Sequence, residues 1–168
     1  MRYDFGSDNT AGMALSALEG LVRANKGFAR AYGADEVTAR AADQIRQRLD
    51  ADADVRFVFS GTAANAIALS MLAQPYEAVL AHHAAHICTD ETGAPGFFGH
   101  GVGLIGLPGF SGKIDPLALQ AQLGEPEVGH RQPPAALSLT QATEYGSVYT
   151  EEELRHLIEP AKALGYGV

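Results

Sequence analysis

Short apolar, β-branched runs alternate along this chain with segments whose apolar residues recur every three or four positions, and that alternation restricts the fold more than any other property of the sequence. Val55-Arg56-Phe57-Val58-Phe59, Ala78-Val79-Leu80, the Gly-interspersed run Gly101 to Leu107, and Ala135 to Thr140 read as strands. Between them fall helical stretches from Ala63 to Ala73, around His83 to Thr89, and from Pro116 through Leu123, the last with Asp115 as N-cap and Pro116 at the first helical position. Thr150 and Glu153 form a capping box that opens a further helix through Leu164, ended by Gly165, and Tyr166-Gly167-Val168 reads as the start of one more strand. Parallel strands need long crossover connections, which helices supply, so the prediction is an α/β fold. It is expected to be a three-layer αβα sandwich whose mainly parallel sheet is covered on both faces.

Two helices are expected ahead of the first strand. Leu15, Leu18, Leu21, Val22 and Phe28 keep helical spacing between Met13 and about Ala31, with Gly27 and Gly33 as punctuation. After Gly33, Asp35 or Thr38 is placed to cap a helix with Val37, Ala41, Ile45 and Leu49 on one face and an Arg- and Gln-rich wet face opposite. Gly124 to Pro134 is the best internal loop, and nothing resembles a linker or repeat. Residues 1–168 thus read as one continuous unit. The chain stops where a strand begins, so it is expected to be the amino-terminal part of a larger domain.

Charge and composition exclude several functions. Twelve basic residues against twenty acidic ones give a net charge of −8 with no Lys/Arg cluster, which disfavours nucleic-acid binding. No stretch approaches the ~18 apolar residues that cross a membrane. Cys88 is the only cysteine, so an intrachain disulfide and a multi-thiolate zinc site are excluded. A soluble protein of the cytoplasm is expected.

The chemistry concentrates at Ser60-Gly61-Thr62. A strand that runs into this turn and then a helix gathers backbone N–H groups, two hydroxyls and the positive end of a helix dipole around one small space, which suits a dianionic phosphate. Gly61 allows close approach of the backbone, and Ser60 and Thr62 each have a hydroxyl to donate. On turn chemistry alone these hydroxyls serve equally well as a helix cap. The turn is neither a Walker loop nor a dinucleotide fingerprint, so a compact phosphorylated cofactor fits better than a nucleotide.

The string Ser60-Gly61-Thr62-Ala63-Ala64-Asn65 resembles the SGTxAN phosphate-binding signature of the threonine aldolase and β-eliminating lyase family, enzymes of the aspartate-aminotransferase fold that use pyridoxal phosphate. Five other segments match in order. Ser7-Asp8-Asn9-Thr10 is similar to the family's Ser-Asp segment, and Tyr32-Gly33-Ala34-Asp35 to its Tyr-Gly-x-Asp motif. His86-Ile87 with Glu91, Gly93 and Ala94 resembles the His-Ile-x-x-x-Glu-x-Gly-Ala motif, and Gly112 to Asp115 with Gly146 to Tyr149 resemble segments that bracket the next helix and strand. Two positions depart from the pattern: Gly6 stands where many members have Arg, and Gln141-Ala142-Thr143-Glu144-Tyr145 stands where many have Asn-Thr-His.

What the resemblance implies is specific. Ser60, Gly61 and Thr62 would hold the phosphate of pyridoxal 5'-phosphate, His86 would stack on its ring, and Ser7, Tyr32 and Asp35 would lie toward the substrate, with Ser7 on its carboxylate. His86, or a bound water, is the expected base, and Glu91 a second candidate catalytic residue. The implied reaction cleaves a β-hydroxy-α-amino acid of the threonine, allo-threonine or phenylserine type to glycine and an aldehyde. A β-eliminating lyase is the chemical alternative, and a non-catalytic phosphate-binding piece the other. The family's Schiff-base lysine and the aspartate that pairs with the pyridine nitrogen would lie beyond Val168, so these 168 residues alone are expected to be inactive; a homodimer or homotetramer with shared active sites is implied.

The remaining candidates have plain explanations. Glu91 is otherwise an ordinary charged residue before the Gly93-Ala94-Pro95-Gly96 turn, and Asp35 an ordinary cap. His82, His83 and His86 fall at helical spacing near Cys88, Asp90 and Glu91, but no metal site is expected there. Lys26, Lys113 and Lys162 read as solvated residues.

Overall fold

The computed structural model describes residues 6–7, 10–124 and 130–168, arranged in two compact units, Met1–Phe57 and Val58–Val168. Part of the expected Gly124–Pro134 loop, and Asp8 and Asn9 of the Ser-Asp segment, lie outside the described residues.

The first unit holds α1 (Leu15–Ala24) and α2 (Glu36–Leu49). Asp35 caps α2: its carboxylate accepts from the Thr38 N–H at 2.9 Å and from the Thr38 hydroxyl at 2.7 Å, and these bonds hold its pKa below the usual carboxylate value. At the other end Asp50 turns left-handed at φ 47° and closes the helix. The apolar face expected on α2 is not covered: only Ala42 is buried, while Val37, Ile45 and Leu49 stay exposed. α1 buries no residue at all. Both helices follow from apolar period, and α2 from its cap as well, but amphipathicity specifies only which face would be buried; among the described residues little of either helix is covered.

The strand expected over Val55–Phe59 is also absent. These residues join no ladder, and Phe59 is 95% exposed. Propensity for a pleated, half-buried surface makes a strand only where a neighbouring strand supplies the hydrogen bonds.

In the second unit α3 (Gly61–Leu72) leads to β1 (Ala78–His82), followed by α4 (His86–Thr89), α5 (Ala94–Phe98), β2 (Gly103–Leu107), α6 (Pro116–Gln122), β3 (Pro134–Leu137) and α7 (Glu151–Ala163). β1 lies between β2 and β3 and is parallel to both. Every residue of β1 is buried. Side chains alternate across a strand, so Val79 and Ala81 point to one face, where Leu69 of α3 and Ala73 just after it meet them with Ile87. Leu80 points to the other, where it packs with Leu137, Leu119 of α6, and Leu157 and Ala161 of α7. The sheet is covered on both sides, and the αβα layering read from the sequence is what forms.

Register follows the same logic. Val79 pairs with Leu104 and Leu80 with Ile105, so each pair shares a face. Toward β3 the pairing steps from Ala78↔Pro134 to Val79↔Ala136, an irregularity that leaves Ala135 as the extra residue. Beyond β3, Gly167 bridges Ala136 in parallel, with the Leu137 N–H donating to the Gly167 carbonyl at 2.8 Å; the strand start expected at Tyr166–Val168 is present.

Capping accounts for the helix starts. The Asp115 carboxylate accepts from the Leu117 N–H at 3.0 Å with Pro116 next, and Thr150 and Glu153 form the reciprocal box. α5 was not legible, because two glycines and a proline read as a turn; Pro95 is tolerated since it occupies the first turn, where its missing N–H has no partner to lose. Conversely, the helix expected from His83 starts only at His86, since the chain leaving β1 first crosses Gly106 of β2, where a Cβ would stand 3.1 Å from His83.

Leu80 has no exposed surface. Leu80→Ala is expected to lower the unfolding free energy by about 2–5 kcal/mol, and Thr150→Ala, which removes one cap at the surface, by only about 1 kcal/mol. Urea unfolding monitored by circular dichroism measures both; equal losses would contradict the central position given to β1.

Candidate active site

In an open parallel sheet the loops at the carboxyl ends diverge where the strand order reverses, and ligands enter there. Here the chain passes from β1 to β2 on one side, then crosses to β3 on the other, so the divergence lies between β1 and β3. The loops that open it are residues 83–85 after β1 and 138–149 after β3. A small, partly open pocket sits there, lined by His82, Ala84, Ala85, Ser138, Thr140 and Glu144 among others.

The loop after β3 is tied down by hydrogen bonds that its sequence does not advertise. Thr143 Oγ1 and Ser147 Oγ both donate to the Ser111 carbonyl, at 2.9 and 2.8 Å. Gly112 adopts φ +80°, and a Cβ there would meet the Thr143 side chain at 2.8 Å, so the close approach requires glycine. The Tyr149 hydroxyl accepts from the Ile114 N–H at 2.8 Å, and the Tyr149 N–H donates to Gln141 Oε1 at 3.0 Å. Burial pushes the Tyr149 phenol up.

Lys113 belongs to this framework. Its Nζ donates to both Glu153 oxygens, at 2.9 and 2.7 Å, and stands 5.5 Å from the Tyr149 ring centre. It is a partly buried bridging residue rather than the solvated one its sequence position implies. The Lys113 bond, more than the Thr150 N–H, holds the Glu153 carboxyl below its ordinary pKa.

At the start of α3, Ser60 is the N-cap, its hydroxyl oxygen accepting from the Ala63 N–H at 3.2 Å. The capping reading is therefore realised, yet it consumes only the oxygen, and the hydroxyl proton is left to donate. The Gly61 and Thr62 N–H groups stand in the first helical turn, where no intrahelical acceptor exists. That turn carries no acidic residue, and space beside Gly61 is open, with nothing within 4 Å of a Cβ built there.

One turn further along α3, Asn65 reaches across to the segment that follows α4. Its Nδ2 donates to Glu91 Oε1 at 2.6 Å, and His86 Nδ1–H donates to the same oxygen at 2.9 Å. The Glu91 side chain is wholly buried while 46% of the His86 side chain is exposed. Glu91 Oε2 is buried without a partner among the described residues, an arrangement that costs on the order of 1–3 kcal/mol or more. The pKa of His86 is raised above the ordinary histidine value, first by the hydrogen bond to Glu91; burial opposes this, and the charges of Glu91, Glu144 and Asp90 add smaller upward contributions.

The other expected residues distribute as follows. His82 closes β1 rather than lying on a helix with His86; its Nδ1 accepts from the Ala84 N–H at 3.1 Å, so Nε2–H donates to the Gly109 carbonyl at 3.3 Å. His83 Nδ1–H donates to the Leu107 carbonyl at 3.1 Å. Both rings are engaged with backbone. Ser7, Tyr32 and Asp35 belong to the first unit: the Ser7 carbonyl accepts from the Thr10 hydroxyl at 2.7 Å, Tyr32 is exposed at φ 62°, and Asp35 caps α2. Thr143 and Glu144 were not singled out as site residues by their sequence, and Asn65 entered only as the last residue of the SGTxAN signature. Asn65 had a signal, being a large polar side chain in an otherwise Ala- and Leu-rich helix, whereas nothing local distinguishes the other two.

The beta-eliminating lyase family model matches residues 4–168. The chain is 42% identical over 161 residues to a low specificity L-threonine aldolase of a Pseudomonas species, and 42% identical over 161 residues to another from Pseudomonas aeruginosa; in each case 96% of this chain aligns with 46% of the relative. It thus spans about half the length of these curated relatives. A solved structure of a threonine aldolase from Leishmania major superposes with a TM-score of 0.90 at 34% identity, over 98% of this chain and 48% of that one. The chain therefore belongs to the beta-eliminating lyase family.

Proposed function

We propose that Ser60, Gly61, Thr62 and His86 hold pyridoxal 5'-phosphate, and that the whole protein is an aldehyde-lyase which cleaves β-hydroxy-α-amino acids of the threonine type to glycine and an aldehyde. The observation that carries this reading is the start of α3: two N–H groups without acceptors among the described residues, two hydroxyls with protons to donate and no carboxylate in the turn. Such a cradle fits a phosphate dianion and would repel nothing from it. The names of the two Pseudomonas relatives and the Leishmania major structure support the substrate class.

Pyridoxal phosphate, when bound, acts as the electron sink for the bond broken at the amino acid's Cα. The chain's own residues bind and orient. Gly61 and Thr62 N–H groups, with the Ser60 and Thr62 hydroxyls, fix the phosphate. His86 offers a ring face for stacking and an Nε2 that no described protein atom occupies, the atom suited to accept the β-hydroxyl proton. Ser7 serves the substrate carboxylate, and Tyr32 and Asp35 shape its approach. A homo-oligomer working in the cytoplasm completes the reading; the free thiol of Cys88 accords with a reducing compartment. The family's name supports a second chemistry, β-elimination, which would use the same cradle and differ in the group that leaves Cβ.

Two substitutions in the whole protein separate binding from chemistry. Thr62→Ala removes one charge-assisted bond to the phosphate and is expected to weaken cofactor affinity about 10- to 100-fold, measured by titrating the absorbance of bound pyridoxal phosphate; unchanged affinity would remove Thr62 from the cradle. His86→Phe keeps a ring for stacking but no base. It is expected to cut kcat for glycine release from threonine by about 10²- to 10⁴-fold while cofactor affinity changes little, and full activity in this variant would sink the assignment of the base.

A further inference from the structure

The sequence placed Glu91 among the residues that meet cofactor or substrate, but its side chain is wholly buried and its contacts run elsewhere. Oε1 receives two donors, Asn65 Nδ2 from α3 and His86 Nδ1 from α4. An oxygen with this pair of bonds joins the helix that begins the phosphate cradle to the ring of His86. We propose that Glu91 is a positioning residue, anchored by Asn65, which holds the proton on His86 Nδ1 and so fixes the ring and leaves Nε2 as its reactive nitrogen.

Three features carry this. A carboxylate oxygen only accepts, so the 2.9 Å contact requires the proton on Nδ1. Two elements clamp Glu91, and it has no exposed surface through which to swing toward solvent or a ligand. Its second oxygen, Oε2, is buried and has no partner among the described residues, so both donors fall on Oε1 and the carboxylate is held by that oxygen alone. The logic is that of a carboxylate behind a catalytic imidazole, which selects the tautomer and orientation without itself meeting the substrate. Among the described residues, the charged groups that act on His86 are acidic: Glu91 and Asp90 from the segment after α4, and Glu144 from the loop after β3. α3 contributes only uncharged residues, Asn65 among them.

The inference rests on the proposed function only for what Nε2 does; the tautomer is a property of the protein without cofactor and can be tested there. In the cofactor-free whole protein, two-bond 1H–15N correlations of the histidine rings should show His86 in the Nδ1–H form, titrating above ordinary histidine. Because the folded value is raised, protonated His86 contributes stability below about pH 6.5. That contribution disappears as pH rises through the raised value. Glu91→Gln, which keeps the shape and removes the charge, should return the titration toward or below the ordinary value. Glu91→Asp, which keeps the charge but shortens the reach, should lose the Nδ1–H preference. In the loaded enzyme both should lower kcat about tenfold or more with KM within a few-fold.

A wild-type His86 in the Nε2–H form, or one titrating at the ordinary value, overturns the inference even in a protein that binds pyridoxal phosphate and cleaves threonine, and needs no variant that folds. The Nδ1–H form with a raised titration supports it even where the cofactor titration of the preceding section fails. A Glu91→Gln protein that folds, yet leaves the His86 titration where it was, also overturns it.

Discussion

β1 is five residues long, hydrogen-bonded on both edges and covered on both faces, and the second unit is organised around that enclosure. Its alternation assigns the helices: Val79 and Ala81 collect α3 on one face, Leu80 collects α6 and α7 on the other. Its last residue, His82, has its ring bonded to backbone, which ends the strand at a fixed point. The following residues must then leave the sheet across Gly106, and α4 begins with His86 already beside α3. A strand buried in this way converts a pattern of apolar side chains into the position of a polar one.

That sequence of dependence explains which parts were legible. Helix starts were, because Asp35, Asp115 and Thr150 announce themselves by local chemistry that survives in the fold. The parallel sheet was, because its three strands are continuous apolar runs separated by crossovers. Val55–Phe59 misled, because β-propensity describes a surface that needs a neighbour and none pairs with it among the described residues. The α2 face misled for a similar reason, since Val37, Ile45 and Leu49 state what would be buried without naming a partner. In the site, Ser60-Gly61-Thr62 was legible because its chemistry lies in consecutive residues. The bonding of Glu91 was not, since one of its two donors is Asn65, 26 positions away.

Two polar networks flank the crevice, and they differ in what water does to them. Lys113, Glu153 and Tyr149 form a partly exposed bridge between the segment before α6 and the start of α7. Screening keeps such an ion pair weak, so its use is geometric: it holds Tyr149, whose hydroxyl receives the Ile114 N–H, and thereby the loop on the β3 side. The Asn65–Glu91–His86 network lies on the β1 side with its carboxylate out of water, where each bond is stronger and each missing one more costly.

The contrast bears on why a buried glutamate with an unsatisfied oxygen persists. Replacing a buried polar network with apolar groups of similar shape is often neutral or stabilising, so stability alone is a poor reason to retain one. Asn65 alone could cap a local acceptor, and His86 alone could face solvent. Only their joint bond to Glu91 Oε1 sets the imidazole at a defined orientation relative to the helix whose first turn presents free N–H groups. A ligand that touches both the start of α3 and His86 therefore meets two groups on one rigid frame, and the orientation between them is settled before it arrives.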